Sequence, residues 1–189
     1  MAVLTAPPKQ RTKLITGEEL LAMGDIGPCE LIDGRIVSMT PTGSEHGYIE
    51  SNLTTELRSF VRKHKLGWVT GGEVGIYIRR KPDRVRGADI AFISSKRLPE
   101  LPKGFLTVAP DLVVEIMSPD DRWQAVREKL GEYFSIGVTW VWVVEPQNRK
   151  VLVFRSPTDV EEYDAENIVR GEGALEGFAV KVAELFAEL

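Results

Sequence analysis

The sequence predicts an α/β fold in which a mixed sheet is flanked by helices and extended by β-hairpins. Three observations support this: two apolar runs typical of strands buried on both faces, two amphipathic helical patterns, and two hairpin signals. Strand and helix signals are interspersed along the chain, which favours one layered sheet. A length of 189 residues suits one domain. We predict a flexible arm over residues 1–13 and a single domain over 14–189.

Each element follows from a local signal. Thr16-Gly-Glu-Glu19 is a capping box that starts a helix, and Asp33-Gly34 is a strong hairpin turn. Asp121 is a natural N-cap, and Gly137 ends the helix that follows it. In chain order the predicted segments are a helix from residue 16, a hairpin over 29–39, a helix over 44–65, a strand pair over 67–79 around Gly71-Gly72, a turn at Pro82-Asp83, buried strands over 90–93 and 112–117, a helix over 122–136, a hairpin over 138–155, a strand over 159–163 and a terminal helix over 180–189.

The composition excludes several classes of function. Cys29 is the only cysteine, so an internal disulfide and a cysteine-rich zinc site are impossible. His46 and His64 are the only two histidines, which disfavours a serine or cysteine hydrolase. No apolar run is long enough for a membrane span and no signal peptide is recognisable, so we expect a cytoplasmic protein. The net charge of -4 argues mildly against tight, non-specific binding of nucleic acid.

Two carboxylates are associated with the buried strands. Asp89 heads the run that ends at Ile93, and Glu115 lies inside the run Leu112 to Met117. A carboxylate in such a strand is costly unless it is paired, hydrogen-bonded or bound to a cation. Two of them on neighbouring strands could share one hard divalent ion, although buried ion pairs would also explain them. The pair therefore indicates either a metal site or a salt-bridge network.

Other polar residues fall on the inner faces of the predicted helices. His46 and Glu50 lie within the apolar stripe of the long helix, and Lys129 lies beside Tyr133 on the next. Glu50 could bind a metal through water or pair with Lys129. Lys129 could stabilise an anion opposite a metal, or it could extend to solvent. His46 and Tyr133 are possible accessory residues of such a site. His46 could equally cap the first turn or be a core histidine, and Tyr133 could be a core aromatic.

These motifs together resemble the Uma-two family, described as restriction endonucleases of the PD-(D/E)XK nuclease superfamily. The resemblance spans residues 14–155. The segments that carry it, in order, are Glu30-Leu-Ile-Asp-Gly34, His46-Gly47, Ala88-Asp89-Ile90, Leu112-Val-Val-Glu-Ile-Met-Ser-Pro119, Lys129-Leu130 with Tyr133, and Gly137-Val-Thr-Trp-Val-Trp-Val-Val-Glu-Pro146. It implies a restriction-endonuclease-like core and Mg²⁺- or Mn²⁺-dependent hydrolysis of phosphodiester bonds in DNA.

The resemblance also implies roles for individual residues. Asp89 and Glu115 become the acidic pair of the motif and, with the backbone carbonyl of Ile116, hold the metal. Lys129 replaces the superfamily lysine, which normally occupies the position of Met117. Glu50 would complete the shell or hold a second ion through water. By analogy with restriction enzymes that cut both strands, we expect a homodimer.

Two alternatives remain open. The first is a nuclease fold without catalysis that acts as a nucleic-acid-binding or regulatory module. Met117 favours it, as does Ala125, which stands where many relatives carry an acidic residue. The second is a structural protein in which the buried charges form salt bridges. Binding of a divalent ion separates the structural alternative from the others, and DNA cleavage separates the enzyme from the binding module.

Overall fold

The computed structural model describes residues 13–186, so nearly all of the predicted arm over 1–13 lies outside the described residues. Within them the chain forms four α-helices, two short 3-10 helices and ten strands. The helices are α1 (Gly17–Ala22), α2 (Ser44–His64), α3 (Trp123–Ser135) and α4 (Val182–Leu185). The strands are β1 (Cys29–Ile32), β2 (Arg35–Ser38), β3 (Gly67–Arg79), β4 (Arg84–Ser94), β5 (Leu112–Ile116), β6 (Trp140–Glu145), β7 (Lys150–Phe154), β8 (Val160–Tyr163), β9 (Ile168–Arg170) and β10 (Ala179–Lys181).

Eight of these strands form one mixed sheet. Its order is β2-β1-β4-β5-β6-β7-β8, and β3 pairs with β4. Strands β5 and β6 run parallel, and helix α3 connects them, as a parallel pair requires a crossover. The other pairs in the sheet are antiparallel. The predicted mixed sheet flanked by helices is therefore confirmed.

The two central strands are buried on both faces. Helix α2 packs Leu53 and Leu57 on one face, in a cluster that includes Ile90 of β4 and Val114 of β5. Helix α3 packs Leu130 on the other face. The C-terminal elements β9, β10 and α4 contribute to the cluster on the α2 side. The two layers of apolar packing fix β4 and β5 between α2 and α3, which positions the polar residues at the end of their ladder.

Helix α2 and the first hairpin match their predictions closely. Helix α2 was predicted over residues 44–65 and is found at Ser44–His64. Strands β1 and β2 pair around Asp33-Gly34, which both have positive φ (53° and 73°), as a tight two-residue hairpin turn needs. None of the helices within residues 13–186 combines the length and apolar character that crossing a bilayer requires.

Several local predictions are wrong. Residues 67–79 form one strand, not two, because the segment around Gly71 and Gly72 is absorbed as a bulge in the pairing with β4. Arg122, not Asp121, is the N-cap of α3, since the Asp121 carboxylate accepts a hydrogen bond from the Ser118 amide at 2.7 Å. The terminal helix begins at Val182, because residues 179–181 pair with β9 instead. Its predicted end, over 187–189, lies outside the described residues.

Candidate active site

Asp89 and Glu115 lie where the β4–β5 ladder ends. The last paired residues are Ile90 and Val114, so each acidic residue stands one position beyond them. The Asp89 side chain is largely buried, and its Oδ2 accepts the Ile116 amide at 2.6 Å. A side-chain carboxylate thereby satisfies an amide that the ladder leaves unpaired. The predicted acidic pair is brought together at one end of two neighbouring strands.

Glu115 is held by two residues of α3. Lys129 Nζ donates to Oε2 at 2.7 Å, and the Tyr133 hydroxyl donates to Oε1 at 2.6 Å. Residues four apart share one helix face, which explains why both groups reach the same carboxylate. Burial and the charge of Asp89 raise the pKa of Glu115 to about 7, although Lys129 and Tyr133 act in the opposite direction. Lys129 thus lies in the candidate site, and Tyr133 contacts it directly.

His46 reaches the other carboxylate from the first turn of α2. Its Nε2 lies 3.4 Å from Asp89 Oδ2, and the residue is buried. Burial alone would lower the pKa of His46, but the hydrogen bond and charge of Asp89 raise it above the ordinary value. Gly43 is the N-cap of α2. His46 therefore does not cap the helix; it contacts the Asp89 carboxylate.

Glu50 lies one turn further along α2 and contacts the β3 bulge. Its Oε1 accepts the Gly72 amide at 2.7 Å. Among the described residues the carboxylates that pair with Lys129 are Glu115 and Glu30, so Glu50 does not form the predicted pair with that lysine. Its charge nevertheless acts on His46, raising the pKa of that residue. Glu50 is adjacent to the candidate site and is fixed to the strand that borders it.

Two acidic residues of this region were not predicted. Glu73 follows Gly72 in the bulge, with φ of 58°, and lines the same cavity as Asp89 and Glu115. Burial and the charge of Asp89 raise its pKa. Glu30 of β1 lies 3.6 Å from Lys129 Nζ. The glycine pair before Glu73 was a usable signal, because glycines inside a strand often mark a bulge that redirects a side chain.

A cavity of about 410 Å³ opens beside these carboxylates. Helix α2 contributes His46, strand β5 contributes Glu115 and Ile116, and helix α3 contributes Lys129. Strand β3 contributes Glu73 and strand β4 contributes Asp89. The other lining residues come from the end of β2 and the segment after it, and from the loop after β5, and they are Ser38, Met39, Thr40, Thr42, Ser118, Asp120 and Asp121. The cavity is therefore polar and predominantly acidic, with Lys129 at its wall.

The donor set suits a hard divalent cation. Within residues 13–186, no three His, Cys, Asp or Glu side chains converge into a complete ligand set. Mg²⁺ needs fewer, because it keeps several waters and binds through one or two carboxylates. Asp89 and Glu115 supply two, and the negative charge of Asp89 raises the pKa of both Glu115 and Glu73. A cation between them would offset that repulsion, so the residues present fit such a metal.

Comparison with protein family models identifies the family of this chain. The family model described as "Uma2: Putative restriction endonuclease" matches residues 18–183. This chain belongs to the Uma2 family. The resemblance drawn from the motifs is therefore confirmed. No curated protein matches the Uma2 chain.

A solved structure shares the fold of this Uma2 chain. It is the crystal structure of "a putative nuclease belonging to DUF820" from Anabaena variabilis ATCC 29413. The TM-score is 0.76 at 23% sequence identity, and the match covers 91% of this chain and 97% of that chain. This similarity supports the restriction-endonuclease-like fold predicted from the sequence.

Proposed function

We propose that this Uma2 protein is a Mg²⁺- or Mn²⁺-dependent endonuclease that hydrolyses phosphodiester bonds in DNA. One observation carries the proposal: the Asp89 and Glu115 carboxylates end the same strand pair, beside Lys129, in one polar cavity. A cavity of buried like charges is unfavourable for packing and suits a bound cation. Membership of a family described as restriction endonucleases supports the same chemistry.

The proposed ligands are Asp89, Glu115 and the backbone carbonyl of Ile116. When bound, the metal would supply an activated water and polarise the scissile phosphate. The Ile116 amide fixes the Asp89 carboxylate, and Tyr133 fixes that of Glu115. Ligands held in this way keep their orientation before the cation arrives. Glu50 and Glu73 would contact the metal through its bound waters rather than directly. Glu50 is held by the Gly72 amide, and Glu73 lines the same cavity.

Lys129 would act on the phosphate or on the attacking water. Its Nζ lies beside Glu115, on the wall of the cavity where the substrate would enter. A fixed positive charge there can orient the water and neutralise charge that develops on the phosphate in the transition state. In this chain the lysine comes from α3 rather than from the position of Met117, directly after β5. Although Lys129 lies further along the chain than Met117, its ammonium group contacts the Glu115 carboxylate.

DNA must approach a wall that carries several carboxylates. Without a cation, Asp89, Glu115 and Glu73 would repel the phosphate, so metal binding should precede substrate binding.

We also propose a homodimer, by analogy with restriction enzymes that cut both strands of a duplex. Sedimentation velocity at micromolar concentration tests it, and a monomer with full cleavage activity would contradict it.

The deciding experiment combines metal binding with cleavage. Mn²⁺ is titrated into the wild-type protein, Asp89→Ala and Glu115→Ala in a calorimeter, and plasmid cleavage is measured in the same buffer. Binding that both substitutions abolish, together with cleavage by the wild type alone, would support the proposal. Full metal affinity and cleavage by Asp89→Ala would refute the assignment.

A second candidate is a nuclease fold that binds nucleic acid without cutting it. Both oxygens of Glu115 are already satisfied, one by Lys129 and one by Tyr133, so this carboxylate is stable without a metal. Metal binding without cleavage of plasmid, linear duplex, single-stranded DNA or RNA would favour this candidate. Loss of DNA binding on Lys129→Met would then identify the same cavity as the binding surface.

A further inference from the structure

Glu30 is a buried carboxylate that faces the site lysine from a different strand. It belongs to β1, is 5% exposed, and uses its two oxygens differently. Oε2 accepts from Arg86 Nη1 at 2.7 Å. Oε1 accepts the Gly87 amide at 3.1 Å and lies 3.6 Å from Lys129 Nζ. One oxygen is therefore committed to Arg86, while the other is fixed in place beside the ammonium group.

Arg86 does not need Glu30 for charge balance. Its Nε donates to Glu132 at 2.5 Å and its Nη2 to Glu128 at 3.1 Å, both on α3. Burial alone would lower the pKa of Arg86, but Glu132 and Glu30 raise it, so the guanidinium is charged. Glu128 and Glu132 also pair with Arg84, which shares Asp33 with Arg79. Three arginines thus share four carboxylates, counting Glu30. The negative charge of Glu30 remains available to a second cation, and Lys129 is the cation within reach.

Lys129 needs such a partner once Glu115 binds a metal. Its shortest contact is Glu115 Oε2 at 2.7 Å. A carboxylate that coordinates a divalent ion gives its lone pairs to that ion, and the ion repels the ammonium. The other acceptors near Nζ are Glu30 Oε1 at 3.6 Å and the Gly87 carbonyl at 3.3 Å. Of these two acceptors, only Glu30 carries a full negative charge.

We propose that Glu30 is a positioning residue that holds the Lys129 ammonium beside the site when Glu115 coordinates the cation. The inference rests on the proposed function. In the metal-free protein Lys129 pairs with Glu115, and in the metal-bound protein it pairs with Glu30. Glu30 thereby lowers the free-energy cost of metal binding, because the lysine exchanges one carboxylate partner for another. It also keeps the positive charge at the wall of the cavity.

The test compares two charge-removing substitutions in the same ion network. Glu30→Gln removes the charge that faces Lys129. Glu132→Gln removes a carboxylate charge that pairs with Arg84 and Arg86 and does not contact Lys129. Mn²⁺ affinity is measured by calorimetry, and kcat and KM by cleavage of a DNA duplex. We expect Glu30→Gln to weaken Mn²⁺ binding and lower kcat, each by about tenfold, as loss of outer-shell partners typically does. KM for DNA stays unchanged, and Glu132→Gln stays within about twofold of the wild type on all three measures.

Equal effects of the two variants would overturn the inference, because net charge alone would then explain them. A wild type that neither binds Mn²⁺ nor cleaves would refute the proposed function, and this inference with it. A wild type that binds Mn²⁺ without cleaving still leaves the affinity comparison decisive for Glu30. Failure of the positioning role and failure of the nuclease assignment therefore give different results.

A measurement on the wild type covers the case in which Glu30→Gln does not fold. A crystal structure with Mn²⁺ bound should show Lys129 Nζ at about 3 Å from Glu30 Oε1, the length of a charge-assisted hydrogen bond. Lys129 that remains on Glu115, or that turns into solvent, would overturn the inference. This readout needs no substitution and no substrate.

Discussion

Lys129 Nζ and Glu115 Oε2 form a 2.7 Å ion pair between helix α3 and strand β5, at the point where the β4–β5 ladder ends. The pair joins the two charged groups that the proposed reaction would use separately. In the absence of metal each neutralises the other in a buried setting, where an uncompensated charge is strongly unfavourable. The pair therefore links the stability of the fold to the occupancy of the site.

Lys129→Met should separate these two roles. The substitution leaves the Glu115 and Glu30 carboxylates without the ammonium, so the free energy of unfolding should fall by about 3 kcal/mol in EDTA. Mn²⁺ should bind at least as tightly as in the wild type, because its competitor for Glu115 is gone, while cleavage is lost. Thermal unfolding with and without Mn²⁺ measures the loss of stability. Lys150→Met, which removes surface ion pairs with Glu162 and Asp164, is the control and should leave Tm nearly unchanged. A wild-type rate of cleavage in Lys129→Met would contradict the role of the lysine.

Mn²⁺ affinity should rise with pH. The pKa of Glu115 is raised to about 7, so below that pH the metal-free carboxyl holds a proton that coordination must release. His46 acts in the same direction, since its protonated ring beside Asp89 repels a cation. We expect affinity to increase by up to about tenfold per pH unit below pH 7 and to level off above it. Calorimetry in two buffers of different ionisation enthalpy counts the released protons. An affinity that stays constant between about pH 6 and pH 8 would contradict the prediction.

Glu73→Gln should weaken metal binding moderately without unfolding the protein. The residue lines the cavity and its pKa is raised by burial and by Asp89, so its charge is unfavourable until a cation arrives. Removing that charge should weaken Mn²⁺ binding by about tenfold and leave Tm equal or higher in EDTA. Glu176→Gln, a substitution at an exposed residue that does not line the cavity, serves as the control for net charge. An unchanged Mn²⁺ affinity in Glu73→Gln would show that this carboxylate takes no part in the site.

Gly72→Ala tests the bulge that carries Glu73. Gly72 has φ of 77°, a left-handed conformation in which alanine is strained, and no atom lies within 4 Å of the added methyl group. The cost therefore comes from the backbone alone, at about 1–2 kcal/mol of unfolding free energy. Chemical denaturation measures it. Gly131→Ala also adds a methyl group in open space, but within helix α3, so it should stabilise the protein by about 0.5–1 kcal/mol. A stabilising effect of Gly72→Ala would contradict the bulge conformation.

The fold was predictable because its signals are local or strongly periodic. The capping box at Thr16, the turn at Asp33-Gly34 and the apolar stripe of α2 each define an element without reference to the rest of the chain. The small strands β9 and β10 were not predicted. They have three residues each and pair only with one another, so tertiary packing rather than local pattern defines them.

The candidate site was predictable only in part. Asp89 and Glu115 stood out because a carboxylate in an apolar run is costly. Glu73 and Glu30 carried no such signal, because glycines interrupt the run around Glu73 and Glu30 lies in a strand of only four residues. Glu30 lies 99 residues before Lys129 by their numbering, and only the pairing of β1 with β4 brings the two together. The roles of the metal ligands remain predictions.

The hydrogen bond from the Ile116 amide to Asp89 makes the site dependent on strand register. Side chains alternate between the faces of a strand, so a slip of one residue between β4 and β5 would turn one carboxylate toward the opposite layer. The amide would then lose its acceptor, and Lys129 would face an apolar residue in place of Glu115. Chains with this shifted register would therefore be less stable and unable to bind a cation at this site. Selection for activity and selection for correct strand pairing would act on the same few atoms.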